Sequence, residues 1–75
     1  MKLEEIFREV FELGEDVVFE DLTPENVETW DSLGQLNLVV AIEEEFDISF
    51  SFDEVLELDS FNSIKSVLLK KDVEL

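Results

Sequence analysis

Three separate segments of this chain place apolar residues at the spacing of an α-helix, and the sequence offers little else that could hold a fold together. Leu3, Ile6, Phe7, Val10 and Phe11 fall at i, i+3, i+4, i+7 and i+8. Leu38, Val39, Ile42 and Phe46 repeat the pattern, as do Phe61, Ile64, Val67 and Leu68. There is no cysteine, so neither a disulfide frame nor a thiolate metal site can substitute for packing. The 75 residues suffice for one small core, and a single domain over residues 1–75 is expected.

The spacing predicts a first helix over 3–13, stopped by Gly14. Residues 15–31 have few periodic apolar positions and read as a long loop, with a single helical turn after Pro24. Val18, Phe19, Leu22, Val27 and Trp30 are the residues that could pack this loop down, with Trp30 as a core anchor. A second long helix is expected over 32–46, where Ser32 and Gln35 have capping-box spacing. The alternation Ile48-Ser49-Phe50-Ser51-Phe52 taken alone suits a strand. A second box, Ser51 to Glu54, instead favours an extended loop followed by a short helix over 52–57. The last helix is expected over 60–71, capped by Asp59 or Ser60, with Lys65, Lys70 and Lys71 toward its C-terminal end. The expected fold class is all-α: a four-helix bundle with three long helices, one short helix and a long first loop.

Charge narrows the partners. The formal net charge is −16, and no basic residue lies between Arg8 and Lys65. Nucleic acid and anionic membrane are excluded by repulsion, while proteins with basic patches are favoured. The same field opposes the compact state. Added divalent cation is therefore expected to raise the melting midpoint, and an unchanged midpoint would contradict this. With no histidine there is no Ser-His triad and no imidazole ligand, and the chain is not expected to be an enzyme. Asp47, Ser49, Ser51 and Asp53 have a suggestive spacing, but the segment lacks a turn glycine and contains Phe52, so no dedicated metal site is expected. Met1-Lys2-Leu3-Glu4-Glu5 has no apolar signal-peptide core, and no apolar run approaches membrane-spanning length. A cytoplasmic monomer is expected.

The second long helix carries two apolar faces. With Leu33 at 0° and about 100° per residue, Leu38, Val39, Ile42 and Phe46 fall at roughly 140–240°. Leu33, Leu36 and Val40 fall on the opposite side, beside Asn37 and Glu44. A helix in a small bundle usually buries one stripe. The second is therefore read as a partner-docking surface of Leu33, Leu36, Asn37 and Val40, rimmed by Glu43, Glu44 and Asp47, and it starts at the helix end where Ser32 lies.

The run from Thr29 through Trp30-Asp31-Ser32-Leu33-Gly34-Gln35 to Glu43-Glu44-Glu45-Phe46 resembles the recognition helix of acyl carrier proteins. In that family Asp-Ser-Leu opens the second helix, and the serine hydroxyl carries 4′-phosphopantetheine, whose thiol holds the acyl group. The likeness extends over the whole chain, through Leu13-Gly14, the acidic loop, the Phe46-Asp47-Ile48 exit and the short helix before Asp59-Ser60-Phe61. It implies a single acyl carrier domain with the cofactor attached at Ser32, flanked by Asp31 and Leu33. It also implies a phosphopantetheinyl transferase as partner, together with acyl-transferring and synthase enzymes that bear basic patches. A phosphodiester suits a helix N-terminus. The cofactor brings its own thiol, and the transferase activates the serine, so the absence of cysteine and histidine is no obstacle. The cargo would tuck between helices beside residues such as Leu36 and Val40.

Gly34 stands where the family often has aspartate, and Asn37 where it often has glutamate. Trp-Asp-Ser-Leu-Gly is similar to free-standing carriers of specialised pathways, and the glycine is also similar to D-alanyl carrier proteins. The function implied is a carrier for fatty-acid, polyketide or related biosynthesis. An aminoacyl carrier and an unmodified acidic protein-interaction domain remain as alternatives, and the second of these does not require Ser32.

Overall fold

A computed structural model describes residues 2–74, so the expected domain limits of 1 and 75 lie outside the described residues. The chain forms α1 (Lys2–Phe11), α2 (Ser32–Phe46), α3 (Phe52–Leu56) and α4 (Phe61–Lys70). A 3₁₀ turn covers Phe19–Asp21, and the described residues contain no strand. This is the expected four-helix bundle with a long first connection.

All three helical stripes point inward. Leu3, Phe7, Leu38, Ile42, Phe61, Ile64 and Leu68 are the most deeply buried side chains. At the centre Phe7 meets Trp30 at 5.3 Å and Phe61 at 5.0 Å, both edge-on, while Phe11 stacks on Trp30 at 5.3 Å. Trp30 is thus the core anchor its sequence context suggested. The long loop is packed by Phe19, Leu22, Val27 and Trp30 as expected, but Val18 is exposed. The turn after Pro24 is present as bonds from the Asn26 and Val27 N–H groups to the Thr23 carbonyl. The loop docks on α4 where the Phe61 N–H donates to the Leu22 carbonyl.

The three long helices end alike, and not through glycine. Glu12, Asp47 and Asp72 take left-handed φ values of 53°, 53° and 61°. In each case the following N–H closes the turn, from Leu13 to Arg8, Ile48 to Glu43 and Val73 to Leu68. The residues that close it, Leu13, Ile48 and Val73, also pack against the core. That apolar contact holds an acidic residue in a conformation glycine would adopt more easily. The first helix therefore stops at Phe11 rather than at 13, and no glycine has a positive φ.

α3 has a complete capping box. The Ser51 hydroxyl accepts from the Glu54 N–H at 3.2 Å, and the Glu54 carboxylate accepts from the Ser51 N–H at 2.8 Å. Glu54 also pairs with Lys71 at 3.0 Å, which ties α3 to the end of α4. The Ser51 N–H, then Lys71, hold the Glu54 carboxyl below its ordinary value of 4.5. A carboxyl lowered in the folded state stabilises the fold above the unfolded value and loses that contribution as pH falls through the folded one. Glu54→Gln is therefore expected to melt below the wild type at neutral pH. The gap should close on titration below 4.5. A gap constant with pH would show that the ionised carboxylate is not what ties α3 down.

Candidate functional site

The start of α2 is fixed by Asp31. Its side chain accepts from the Gly34 N–H at 2.8 Å, and its carbonyl accepts from the Gln35 N–H at 2.8 Å. Asp31 is the N-cap, with φ −98° and ψ −165°. Ser32 is the first helical residue, so the expected Ser32–Gln35 capping box is corrected. Aspartate caps as well as serine does, and here it lies one position earlier. Ser32 is exposed, and among the described residues nothing bonds its hydroxyl.

Gln35, freed from the box, turns inward. Its Oε1 accepts from the Trp30 indole N–H at 2.6 Å. Its Nε2 donates to the carbonyls of Leu58 at 3.2 Å and Val55 at 3.4 Å. One amide therefore joins the loop, α2 and α3. Beside it lies an open hollow of about 500 Å³, bordered by Ser32, Asp31, Pro24, Val55, Leu56 and Leu58 among others.

Gly34 is buried, and its role is steric. A Cβ added there would overlap the Thr29 carbonyl oxygen and come within 3.2 Å of the Phe11 ring. The close approach of the loop backbone to α2 thus requires glycine, which gives a physical reason for the missing aspartate at this position.

The second apolar face of α2 is exposed. Leu33 is 66% exposed, Leu36 59% and Val40 45%. Asn37, Glu44 and Asp47 are exposed with them. Leu36 and Val40 do not border the hollow beside Ser32. Glu43 sits apart from the rest of the acidic rim, because its carboxylate accepts from the Phe50 N–H at 2.8 Å and braces the loop before α3. Of the expected core face, Leu38, Val39 and Ile42 are buried, and Phe46 is partly buried against them.

A family model for the phosphopantetheine attachment site matches residues 2–68. The chain belongs to the phosphopantetheine attachment-site family. Its role is that of a phosphopantetheine carrier, and in this family 4′-phosphopantetheine is attached covalently to a serine. Such carrier domains are generally non-catalytic and work with phosphopantetheinyl transferases and synthase enzymes. Comparison with curated proteins and with solved structures gave no match. No helix among the described residues is long and apolar enough to cross a membrane.

The start of α2 suits the family's cofactor. Asp31 bonds the Gly34 N–H, and those of Ser32 and Leu33 have no partner among the described residues at the positive end of a 15-residue helix. A phosphodiester there would gain from both and would stand clear of the core. Sequence reasoning missed the inward role of Gln35. The signal was present, since a glutamine five residues after a buried tryptophan can reach its indole N–H when both flank a helix start.

Proposed function

We propose that the chain is an acyl carrier protein, not itself an enzyme, whose arm is attached at Ser32. The single observation that carries this reading is an exposed serine hydroxyl, without a partner among the described residues, on the first residue of α2. In loading, the Ser32 Oγ–P bond forms and the pyrophosphate P–O bond of coenzyme A breaks. The hydroxyl proton passes to a base on the transferase, and adenosine bisphosphate leaves. The exposed face of Leu33, Leu36, Asn37 and Val40, with Glu44 and Asp47, then meets partner enzymes. Such contacts are short-lived, as a shuttle requires. The apolar walls contributed by Val55, Leu56 and Leu58 beside Ser32 support an acyl cargo of fatty-acid, polyketide or related biosynthesis over an aminoacyl one.

Incubating the protein with a phosphopantetheinyl transferase and coenzyme A tests this. Intact mass should rise by one phosphopantetheine per chain. An unchanged mass with several transferases would contradict the proposal and favour an unmodified acidic interaction domain.

A further inference from the structure

α3 leaves its largest apolar side chains outside the fold. Phe52 is 78% exposed and Leu56 65%. They stand four residues apart, so they share one face. Packing does not account for them, because α3 has no buried residue. Within α3 it is Val55 that packs against the core, and the Ser51–Glu54 box, the Lys71 ion pair and the Gln35 amide at the Val55 carbonyl hold the helix beside it. The preceding residues behave differently. Ile48 and Phe50 pack against the core, and the Lys71 ammonium lies over the Phe50 ring at 5.8 Å. The capping box at Ser51 changes the period from two to 3.6, and Phe52 leaves the inward-facing series.

This ridge adjoins the site at Ser32. Leu56 borders the same hollow as Ser32. Exposed Asp53 and Glu57 flank the ridge on the same short helix. The surface is therefore apolar and acid-bordered, and its Leu56 end meets the hollow beside the serine, with Phe52 one helical turn further along.

We propose that the Phe52–Leu56 ridge is a docking contact for the enzyme that loads Ser32, and that this enzyme offers an apolar pocket rimmed by arginine or lysine. The inference rests on Ser32 being the attachment residue. The loading enzyme is the occupant because it must bring its reacting phosphorus to about 3–3.5 Å from the Ser32 oxygen. Its footprint is therefore centred on the start of α2, and a standard interface of about 800 Å² per partner extends onto α3. Enzymes that act through the arm are free of that constraint. The acidic border calls for a basic rim, and an exposed aromatic that fits a partner's pocket is where binding energy concentrates.

The test is kcat/KM for phosphopantetheine transfer from coenzyme A by a phosphopantetheinyl transferase, measured on the wild type, Phe52→Ser, Phe52→Leu and Leu69→Ser. Leu69 is an equally apolar exposed residue, on α4 (55% exposed). Phe52→Ser should lose about tenfold or more through KM, as expected for an anchor residue. Phe52→Leu should recover most of the rate, Leu69→Ser should match the wild type, and all should melt together. Phe52→Ser loaded at the wild-type kcat/KM would overturn the ridge and leave the carrier reading standing. A wild-type protein that accepts no phosphopantetheine would overturn the carrier reading, and the ridge with it.

Discussion

Gly34→Ala will lower the melting midpoint sharply, although the same exchange in an exposed helix raises stability. In an ordinary helix interior, alanine in place of glycine gains about 0.5–1 kcal/mol. At Gly34 the new methyl would overlap the Thr29 carbonyl oxygen, a backbone atom, and crowd the Phe11 ring at 3.2 Å. Neither neighbour yields cheaply. Thr29 immediately precedes Trp30, which is 3% exposed among Phe7 and Phe11. Moving the loop also pulls Asp31 away from the Gly34 N–H that it caps. A net loss of about 3 kcal/mol is expected, the upper part of the range for overpacking. At about 4–8 °C per kcal/mol for a domain of this size, the midpoint falls by roughly 12–24 °C. Circular dichroism melts decide the matter, and a midpoint equal to or above the wild type would show that the loop is not pressed on α2.

Gln35→Leu is the second large effect. The substitution keeps the volume and removes three hydrogen bonds at once, to the Trp30 indole and to the Val55 and Leu58 carbonyls. The indole N–H belongs to a nearly fully buried residue and would be left without an acceptor. An unsatisfied buried donor costs about 1–3 kcal/mol. The bonds to the two carbonyls, at 3.4 and 3.2 Å, are longer than the 2.6 Å indole bond, so their loss adds less. The expected total is about 2–3 kcal/mol, or a midpoint lower by roughly 8–24 °C. Gln35→Glu restores the acceptor for Trp30 and not the donors, so it should fall between the two. A Gln35→Leu protein that melts with the wild type would mean that the amide bonds only solvent-competent groups and does not join loop, α2 and α3.

Most of the fold was legible because its information is local. The periodicity of Leu3–Phe11, Leu38–Phe46 and Phe61–Leu68 gave three helices and their inward faces, and the Ser51–Glu54 box gave the start of α3. The boundaries that moved are those set by tertiary contacts. Gly14 offered the usual stop, yet the chain turns at Glu12, because Leu13 then reaches the core. The 3₁₀ turn at Phe19–Asp21 had no periodic signal, and it forms where Phe19 packs beside Phe61 at 5.4 Å.

At the site, the exposed face of Leu33, Leu36 and Val40 could be read from helical angles alone. The capping register could not. Asp31 and Ser32 are both good caps in adjacent positions, and the choice depends on where the loop from Trp30 enters. The outward Phe52 was equally hidden. Its place in the alternating run Ile48-Phe50-Phe52 suggests the inward side, and only the change to helical backbone after the Ser51 cap turns it out.

The central claim is that Asp31 shapes the start of α2 and leaves the Ser32 hydroxyl free to be modified. Peptide-resolved mass spectrometry after incubation with transferase and coenzyme A, run beside thermal melts of Ser32→Ala and Asp31→Ala, tests it most directly. The account predicts one phosphopantetheine on the wild-type peptide that contains Ser32. Ser32→Ala should carry none and melt with the wild type, while Asp31→Ala should still be loaded but melt about 4–8 °C lower, as loss of a cap worth about 1 kcal/mol requires. An adduct that persists in Ser32→Ala on another serine would contradict it, as would a wild-type protein that is never loaded.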